Sequence, residues 1–312
     1  MCKEERGDLV IVLKDINKSF EEKQVLKNVS FYIAPGEKVG IIGKNGAGKT
    51  TLLRIMNGTL KPDDGFLRIH YTENPLKNFQ VLKDIVCISG TQSQLWKDMR
   101  IRDSFDNCIR MYKLPKQGAK ERLNKLIEIL EVEALLNALP RDLSLGERMR
   151  CELVYALLVE APILMMDEVM IGLDVSVKHK IMTYFETYFK KKECTLIYTG
   201  HNLAEVERLC DRILLIDKGK IIYDGSIDRI MREFSPLYQM EIKIGENFPD
   251  MEDLPIEWMR IEKDKLYIAY DKKKIDTAQI LKHLKKKMVL LDVKLHEPDL
   301  ESTIKKVYER IK

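Results

Sequence analysis

The 312-residue chain has no apolar run near the about 20 residues needed to cross a bilayer. Its longest candidate, from Leu153 to Met166, is interrupted by Glu160 and Pro162. A role at a membrane therefore requires a partner that supplies the spanning part. The first residues, MCKEERGD, mix acids and bases ahead of any apolar stretch, so no cleavable leader is expected. There is no C-x-x-C pair. Cys2, Cys87, Cys108, Cys151, Cys194 and Cys210 are scattered, most of them in apolar or helical surroundings, and read as reduced, structural thiols of a cytosolic protein. Nor is there a strong charge excess. Lys and Arg number 53 against 49 Asp and Glu, a net +4 that gives no case for nucleic-acid binding. What remains is 45% hydrophobic and 33% charged, long enough for one large domain with a substantial core and a small second one.

The stretch with the most chemistry is Gly43-Lys44-Asn45-Gly46-Ala47-Gly48-Lys49-Thr50-Thr51, which fits G-x-x-x-x-G-K-[ST]. Val39 to Ile42 ahead of it reads as a buried strand, and Leu52 to Met56 after it as the first turns of a helix. A strand, a glycine loop and a helix start aim several backbone N–H groups and the positive end of the helix dipole at one point, which suits phosphate. Glycine is needed where a Cβ would hold the phosphate oxygens off the backbone. Lys49 would reach the outer phosphates and the Thr50 hydroxyl would ligate Mg²⁺.

Other elements supply the complement. Leu9 to Leu13 and Val29 to Ile33 read as strands around a turn near Phe20, whose ring either stacks on a base or packs into the core. Asp84 to Ser89 reads as a strand ending in the polar loop Gly90 to Trp96. Helical spacing fills Ile101 to Leu136, with Leu123, Leu126, Ile127 and Leu130 on one stripe. Ser144 and Glu147 form a capping-box pattern ahead of a helix from Arg148 to Val159, although a hydroxyl at a helix start can also hold an anion. Ile163 to Met166 is a buried strand that delivers Asp167 and Glu168, suited to a Mg²⁺ shell and to orienting or deprotonating a water. Gly172-Leu173-Asp174 precedes a helix from Val175 to Phe189. Thr195 to Thr199 is another buried strand, and it places His201 on the sheet edge where ligands bind.

Taken together, GKNGAGKTT, LSLGE, MMDE, GLD and the histidine of YTGH resemble the ATP-binding cassette of ABC transporters, over roughly Leu9 to Ser235. SQLW, LSLGERMRCEL, IGLDV and a small C-terminal extension resemble the branch that powers type-2 exporters, including drug-resistance, sodium-extrusion and viologen-type pumps. The resemblance implies an α/β fold of the P-loop NTPase kind. It would have a RecA-like core, an antiparallel β subdomain and a helical subdomain at about 98–160, all within residues 1–235. A small α+β accessory domain would follow at 236–312. It implies an ATPase with ATP and Mg²⁺ as cofactors, peripheral on the cytoplasmic face of the membrane. A second cassette, as a homodimer, and a separate permease would be its partners. The ATP would touch Phe20, residues 43–51, Asp167, Glu168 and His201 of one subunit and Ser144 and Gly146 of the other. His201 would contact the γ-phosphate and Asp174 would link the two sites.

The sequence departs from the family pattern in places. Leu145 replaces the first glycine of LSGGQ and Glu147 its glutamine, placing negative charge near the partner's phosphates. Val169-Met170 replaces the usual proline-threonine. The Q-loop glutamine is Gln92, with Gln94 as the alternative; Gln92 would also contact Mg²⁺. Leu95, Trp96 and Arg100 are expected near the groove that docks the permease. A regulatory cassette with weak hydrolysis is the alternative reading. Soluble ribosome-acting cassettes carry two cassettes per chain, and chromosome-type ATPases need a long coiled coil ahead of the LSLGE segment; this chain has neither. Beyond Ser235-Pro236, strands at Tyr238–Ile244, Lys265–Tyr270 and Val289–Leu295 and helices near Asp276–Lys287 and after Pro298 carry no site chemistry. The run Lys285 to Lys287 reads as a solvated helix end.

Overall fold

The computed structural model describes residues 10–70, 72–73, 78–90, 93–191, 193–200, 202–234, 237–244, 254–287 and 290–310. The chain divides into two compact units, Met1–Gly225 and Ser226–Lys312.

In the first unit, β1 (Ile11–Phe20) and β2 (Lys23–Ile33) form a hairpin, followed by β3 (Lys38–Ile42) and α1 (Lys49–Met56). Next come β4 (Asp64–Ile69), β5 (Thr72–Glu73), α2 (Phe79–Leu82) and β6 (Ile85–Ser89). Three helices follow: α3 (Ile101–Met111), α4 (Lys116–Ile129) and α5 (Leu145–Val159). The unit finishes with β7 (Ile163–Asp167), α6 (Val175–Lys191), β8 (Thr195–Thr199), α7 (Leu203–Leu209), β9 (Arg212–Asp217) and β10 (Lys220–Ser226).

One sheet, in the order β2-β1-β4-β5, is antiparallel. The other has the order β10-β9-β3-β8-β7-β6, and within it β9, β3, β8, β7 and β6 run parallel. β10 turns back through Lys218 and Gly219, whose φ of 46° and 80° are those of a tight two-residue hairpin. Every residue of β7 and β8 is buried, as expected for parallel strands covered on both faces, and this is why their sequences are continuous apolar runs. One core joins the sheets, with Ile11, Leu13 and Leu26 alongside Ile41, Leu53, Ile163, Ile197 and Leu214. Because the strands are parallel, the segments that follow β3, β6, β7 and β8 all leave the same sheet edge.

α3 and α4 pack on α5, burying Leu126, Ile127 and Leu130 of the predicted stripe. α5 itself starts at Leu145 rather than Arg148, because Ser144 supplies the cap. Among the described residues, no helix is long and apolar enough to cross a membrane.

In the second unit, α8 (Ile227–Phe234) precedes β11 (Leu237–Ile244), β12 (Ile256–Glu262) and β13 (Lys265–Asp271), then α9 (Thr277–Lys287), β14 (Leu290–His296) and α10 (Leu300–Arg310). Its sheet, β12-β13-β11-β14, is antiparallel and lays Met240, Ile242, Leu266, Ile268 and Tyr270 on Ile280 and Leu284 of α9. The division at Gly225 falls earlier than the expected boundary at Ser235-Pro236, which assigned α8 to the cassette. The reason is packing. α8 buries Ile227 and Ile230, Met231 Sδ lies 3.2 Å from Thr303 Oγ1 of α10, and the Arg310 guanidinium sits 5.3 Å over the Phe234 ring. The edge strand β12 is an addition to the sequence reading; Trp258, Met259 and Ile261 in it are exposed, so no clean apolar alternation marks it. Lys285 to Lys287 lie exposed at the end of α9.

The first unit is tied at one corner by Arg212. Its Nε and Nη2 grip Asp224 at 2.6 and 2.7 Å, and its Nη1 donates to Glu37 at 2.9 Å and to the Tyr32 carbonyl at 3.0 Å. Burial works against the guanidinium charge, but Asp224 and Glu37 outweigh it and hold the pKa above its ordinary value. Arg212→Met keeps the stem and strands both carboxylates, so it should cost about 2 kcal/mol in a urea or guanidinium titration. No loss of stability would show that the corner is held by packing alone.

Candidate active site at the edge of the parallel sheet

The glycine loop leaves β3 and enters α1. Gly48, with φ of 114°, is in a backbone region L side chains rarely adopt, and a Cβ there would lie 2.8 Å from Leu26 Cδ2 and 3.2 Å from the Val25 carbonyl. β2 therefore packs directly beside the loop. Gly46, with φ of 77°, has open space where its Cβ would be, so the loop presents bare backbone on that side. Lys44, Asn45 and Gly46 are exposed, Ala47 is buried, and Thr50 and Thr51 are half-buried. Lys49 is only 6% exposed and folds over its own loop, donating from Nζ to the Gly43 carbonyl at 2.8 Å and to that of Lys44 at 3.4 Å. Burial lowers the Lys49 pKa, while Glu168 and Asp167 act to raise it.

The loop meets β7 at the Thr50 side chain, whose Oγ1 donates to Asp167 Oδ2 at 2.9 Å. The other oxygen of Asp167 accepts from Thr199 Oγ1 at 2.5 Å. Sheet register makes this possible, since Asp167 and Thr199 are paired across β7 and β8. Thr199 is fully buried, and as the partner of Asp167 it is a site residue that reads in the sequence only as the end of a strand. Its signal was a polar residue closing an apolar run beside another such run. Glu168 follows with φ of 57°, a left-handed conformation uncommon for a residue with a side chain, and its N–H is held by the Thr199 carbonyl at 3.0 Å. Val169 and Met170, in place of proline-threonine, are both buried, so they serve as core under this turn.

Thr50, Ser89, Gly90, Asp167 and Glu168 line a cleft of about 220 Å³ together with Leu145, Met149 and Ile171. Ser144 and Gly146 do not line it. Ser144 caps α5: Glu147 N donates to its Oγ at 3.3 Å, and its own N–H and hydroxyl donate to Glu147 Oε2 at 2.9 and 2.7 Å. Gly146 lies so close to the turn before α6 that a Cβ would sit 2.6 Å from the Gly172 carbonyl. Asp174 is exposed, and its carbonyl accepts from Lys178 N at 2.8 Å at the start of α6. Phe20 is 46% exposed at the end of β1, with Lys18 Nζ 5.5 Å from its ring centre, which removes the core-packing alternative for it. Gln92 and His201 lie outside the described residues. The alternative glutamine, Gln94, spends its side-chain amide on the Cys87 carbonyl of β6 at 2.5 Å. Leu95 is buried, whereas Trp96 is 54% exposed, so of the three expected docking residues Leu95 belongs to the core instead.

The oxygen donors suit Mg²⁺, which takes a hydroxyl and a carboxylate and keeps its remaining positions for phosphate and water. Among the described residues there is no cluster of three or more His, Cys, Asp or Glu that would instead build an all-protein metal cage. The bare backbone at Gly46 suits phosphate in the same way.

The family model described as ABC transporter matches residues 26–170. The Nod factor export ATP-binding protein I of Paraburkholderia xenovorans is 31% identical over 219 residues, 70% of this chain and 71% of its own length. The methionine import ATP-binding protein MetN of Clostridium tetani is 30% identical over 221 residues, 70% of each chain. A solved dimeric bacterial ABC transporter cassette superposes with a TM-score of 0.61 at 26% identity, covering 70% of this chain and 98% of that one. One relative is named for export and the other for import, and what both share with this chain is the nucleotide-binding part. The chain belongs to the ABC transporter family, as an ATP-binding subunit of its ATPase kind.

Proposed function

We propose that this chain is the motor of an exporter: it binds ATP with Mg²⁺, closes on a second copy of itself, and hydrolyses ATP to drive a separate membrane-spanning permease. The observation that carries the reading is the bridge from Thr50 through Asp167 to Thr199, with Glu168 turned out of β7 beside it. In this reading the N–H groups of residues 43–51 and the Lys49 ammonium hold the phosphates, once Lys49 exchanges its loop carbonyls for phosphate oxygens. Thr50 and Asp167, with Gln92, hold the Mg²⁺, which supplies positive charge against the phosphate oxygens when bound. Glu168 orients or deprotonates the attacking water, and His201 contacts the γ-phosphate. Phe20, exposed on the hairpin that packs beside Gly48, stacks on the adenine. Gln94 being engaged on β6 favours Gln92 as the Q-loop glutamine. Ser144 and Gly146 act on the ATP of the partner copy, and Asp174 links the two sites.

Export is supported by SQLW, LSLGERMRCEL and IGLDV and by the Nod factor export relative, against the methionine import relative. The permease places the chain on the cytoplasmic face of the membrane. A regulatory cassette with weak hydrolysis is favoured by one observation, the grip of Glu147 on the Ser144 hydroxyl.

Glu168→Gln is isosteric and removes the base. Turnover should fall by about 100-fold or more while ATP binding persists, and an ATP-bound dimer should accumulate in gel filtration. Turnover equal to that of the wild type would remove Glu168 from the role. A wild type that binds ATP and dimerises without turnover would favour the regulatory reading.

Trp96→Ala and Arg100→Ala alter exposed side chains on the surface proposed to dock the permease. Basal hydrolysis should stay within about twofold, while permease-dependent stimulation and transport fall about tenfold. Equal loss of basal hydrolysis and transport would sink the docking assignment.

A further inference from the structure

One acid in α5 has no part in the chemistry above. Glu152 is 2% exposed, among buried apolar residues of the helix. Its carboxylate accepts from the Ser93 hydroxyl and from the Gln94 N–H, at 3.1 Å to Oε1 and 3.0 Å to Oε2, while the Leu95 N–H donates to Ser93 Oγ at 3.1 Å. One turn earlier on the same helix, Arg148 Nη2 donates to the Gly90 carbonyl at 3.4 Å. Gly90, Ser93 and Gln94 are thus held to α5 by two charged side chains spaced i and i+4 on one helix face. At its start, Gly90 N also reaches the Asp167 carbonyl at 3.4 Å.

Burying a carboxylate is a poor route to stability, because a well-packed apolar side chain of similar volume is often as stable or more so. Burial pushes the Glu152 carboxyl above its ordinary value, and the Ser93, Gln94 and Leu95 donors pull the other way. What an apolar residue could not do is fix register. Two donors on successive residues, the Ser93 hydroxyl and the Gln94 N–H, converge on one carboxylate, so this stretch cannot slide along α5 without leaving a buried charge unsatisfied. α5 begins with Ser144 and Gly146, and the loop starts beside Asp167 and ends at the exposed Trp96.

We propose that Glu152 is a positioning residue that locks the loop after β6 to α5, so that the Asp167 edge, the Ser144–Gly146 helix start and the Trp96 surface move as one piece. The link between nucleotide and permease then runs through this carboxylate. The inference rests on the reading that Ser144 and Gly146 act on ATP, but the lock itself does not depend on it.

The test uses the full chain with Glu152→Gln and Ser93→Ala. Glutamine keeps the shape but removes the charge and one of the two oxygens that the Gln94 N–H reaches. In Glu152→Gln, hydrogen-exchange protection at the Gln94 amide should fall about tenfold or more, and at the Leu95 amide by less as its Ser93 acceptor loses the carboxylate, with the rest of the unit unchanged. The ATP dissociation constant should stay within about twofold, since Lys49 and Thr50 are untouched, while kcat falls about tenfold. A Glu152 that merely stabilises the fold would lower the melting temperature and weaken ATP binding and kcat together. Ser93→Ala, a change on the exposed loop that removes one donor to the carboxylate, should move the Gln94 amide and kcat in the same direction by less, and it carries the test if Glu152→Gln does not fold. Unchanged protection at both amides, or ATP binding lost in step with kcat, overturns the lock. A wild type that binds no ATP would instead overturn the proposed function, and the two amides would still decide the lock.

Discussion

Asp167 is the point on which the rest of the first unit depends. Its two oxygens face hydroxyls from two directions, Thr50 on the glycine loop and Thr199 on the neighbouring strand. The carboxylate is 6% exposed, so each of those hydrogen bonds replaces water that the site excludes. For Thr50 to arrive, β3 must end one strand away from β7, with β8 between them, and the parallel order β3-β8-β7 provides this. The apolar runs of β7 and β8, buried on both faces, set that order, and the chemistry sits where the runs stop. The same edge explains the backbone at Glu168. A residue directly after a buried strand would continue along it, and the left-handed φ of 57° takes the chain off that line instead. Buried Val169 and Met170 brace the turn from below, a task that needs only apolar volume.

The site is legible in the sequence where its residues are contiguous. The loop 43–51, the pair Asp167-Glu168 and the capping pair Ser144 and Glu147 are each local patterns whose geometry follows from a strand end or a helix start. Buried parallel strands are legible for the same reason, as short runs with no polar interruption. Contacts that depend on which elements become neighbours are not. Nothing local marks Thr199 as the partner of Asp167, or Glu152 as the partner of Ser93 and Gln94, because both pairings exist only once the sheet order and the packing of α5 are set. α8 carries a short apolar stripe that would suit either unit, and α10, far along the chain, decides its side. β12 is an edge strand whose exposed Trp258, Met259 and Ile261 blur the alternation that would announce it.

Glu147 brings two uses of one helix start into competition. The Ser144 N–H and hydroxyl both point at its carboxylate, and these hydrogen bonds hold the Glu147 pKa below the ordinary carboxylate value. A depressed carboxyl pKa means that the Glu147 half of the capping box is fully present above the ordinary carboxylate range and is lost as pH falls through the depressed value, so at neutral pH it is made and carries a negative charge. A helix N-terminus attracts one anion well, and here that anion is part of the chain. In the proposed dimer, the phosphates of the partner's ATP must take the Ser144 hydroxyl from Glu147 and approach against its charge. Because the side chain is long and only half-buried, it can swing into water without disturbing α5, whose first turn would still be capped by the Ser144 oxygen accepting from the Glu147 N–H. In the proposed dimer the contest would be settled by closure of the two copies rather than by folding of either one, so a Glu147 substitution is expected to change turnover rather than stability.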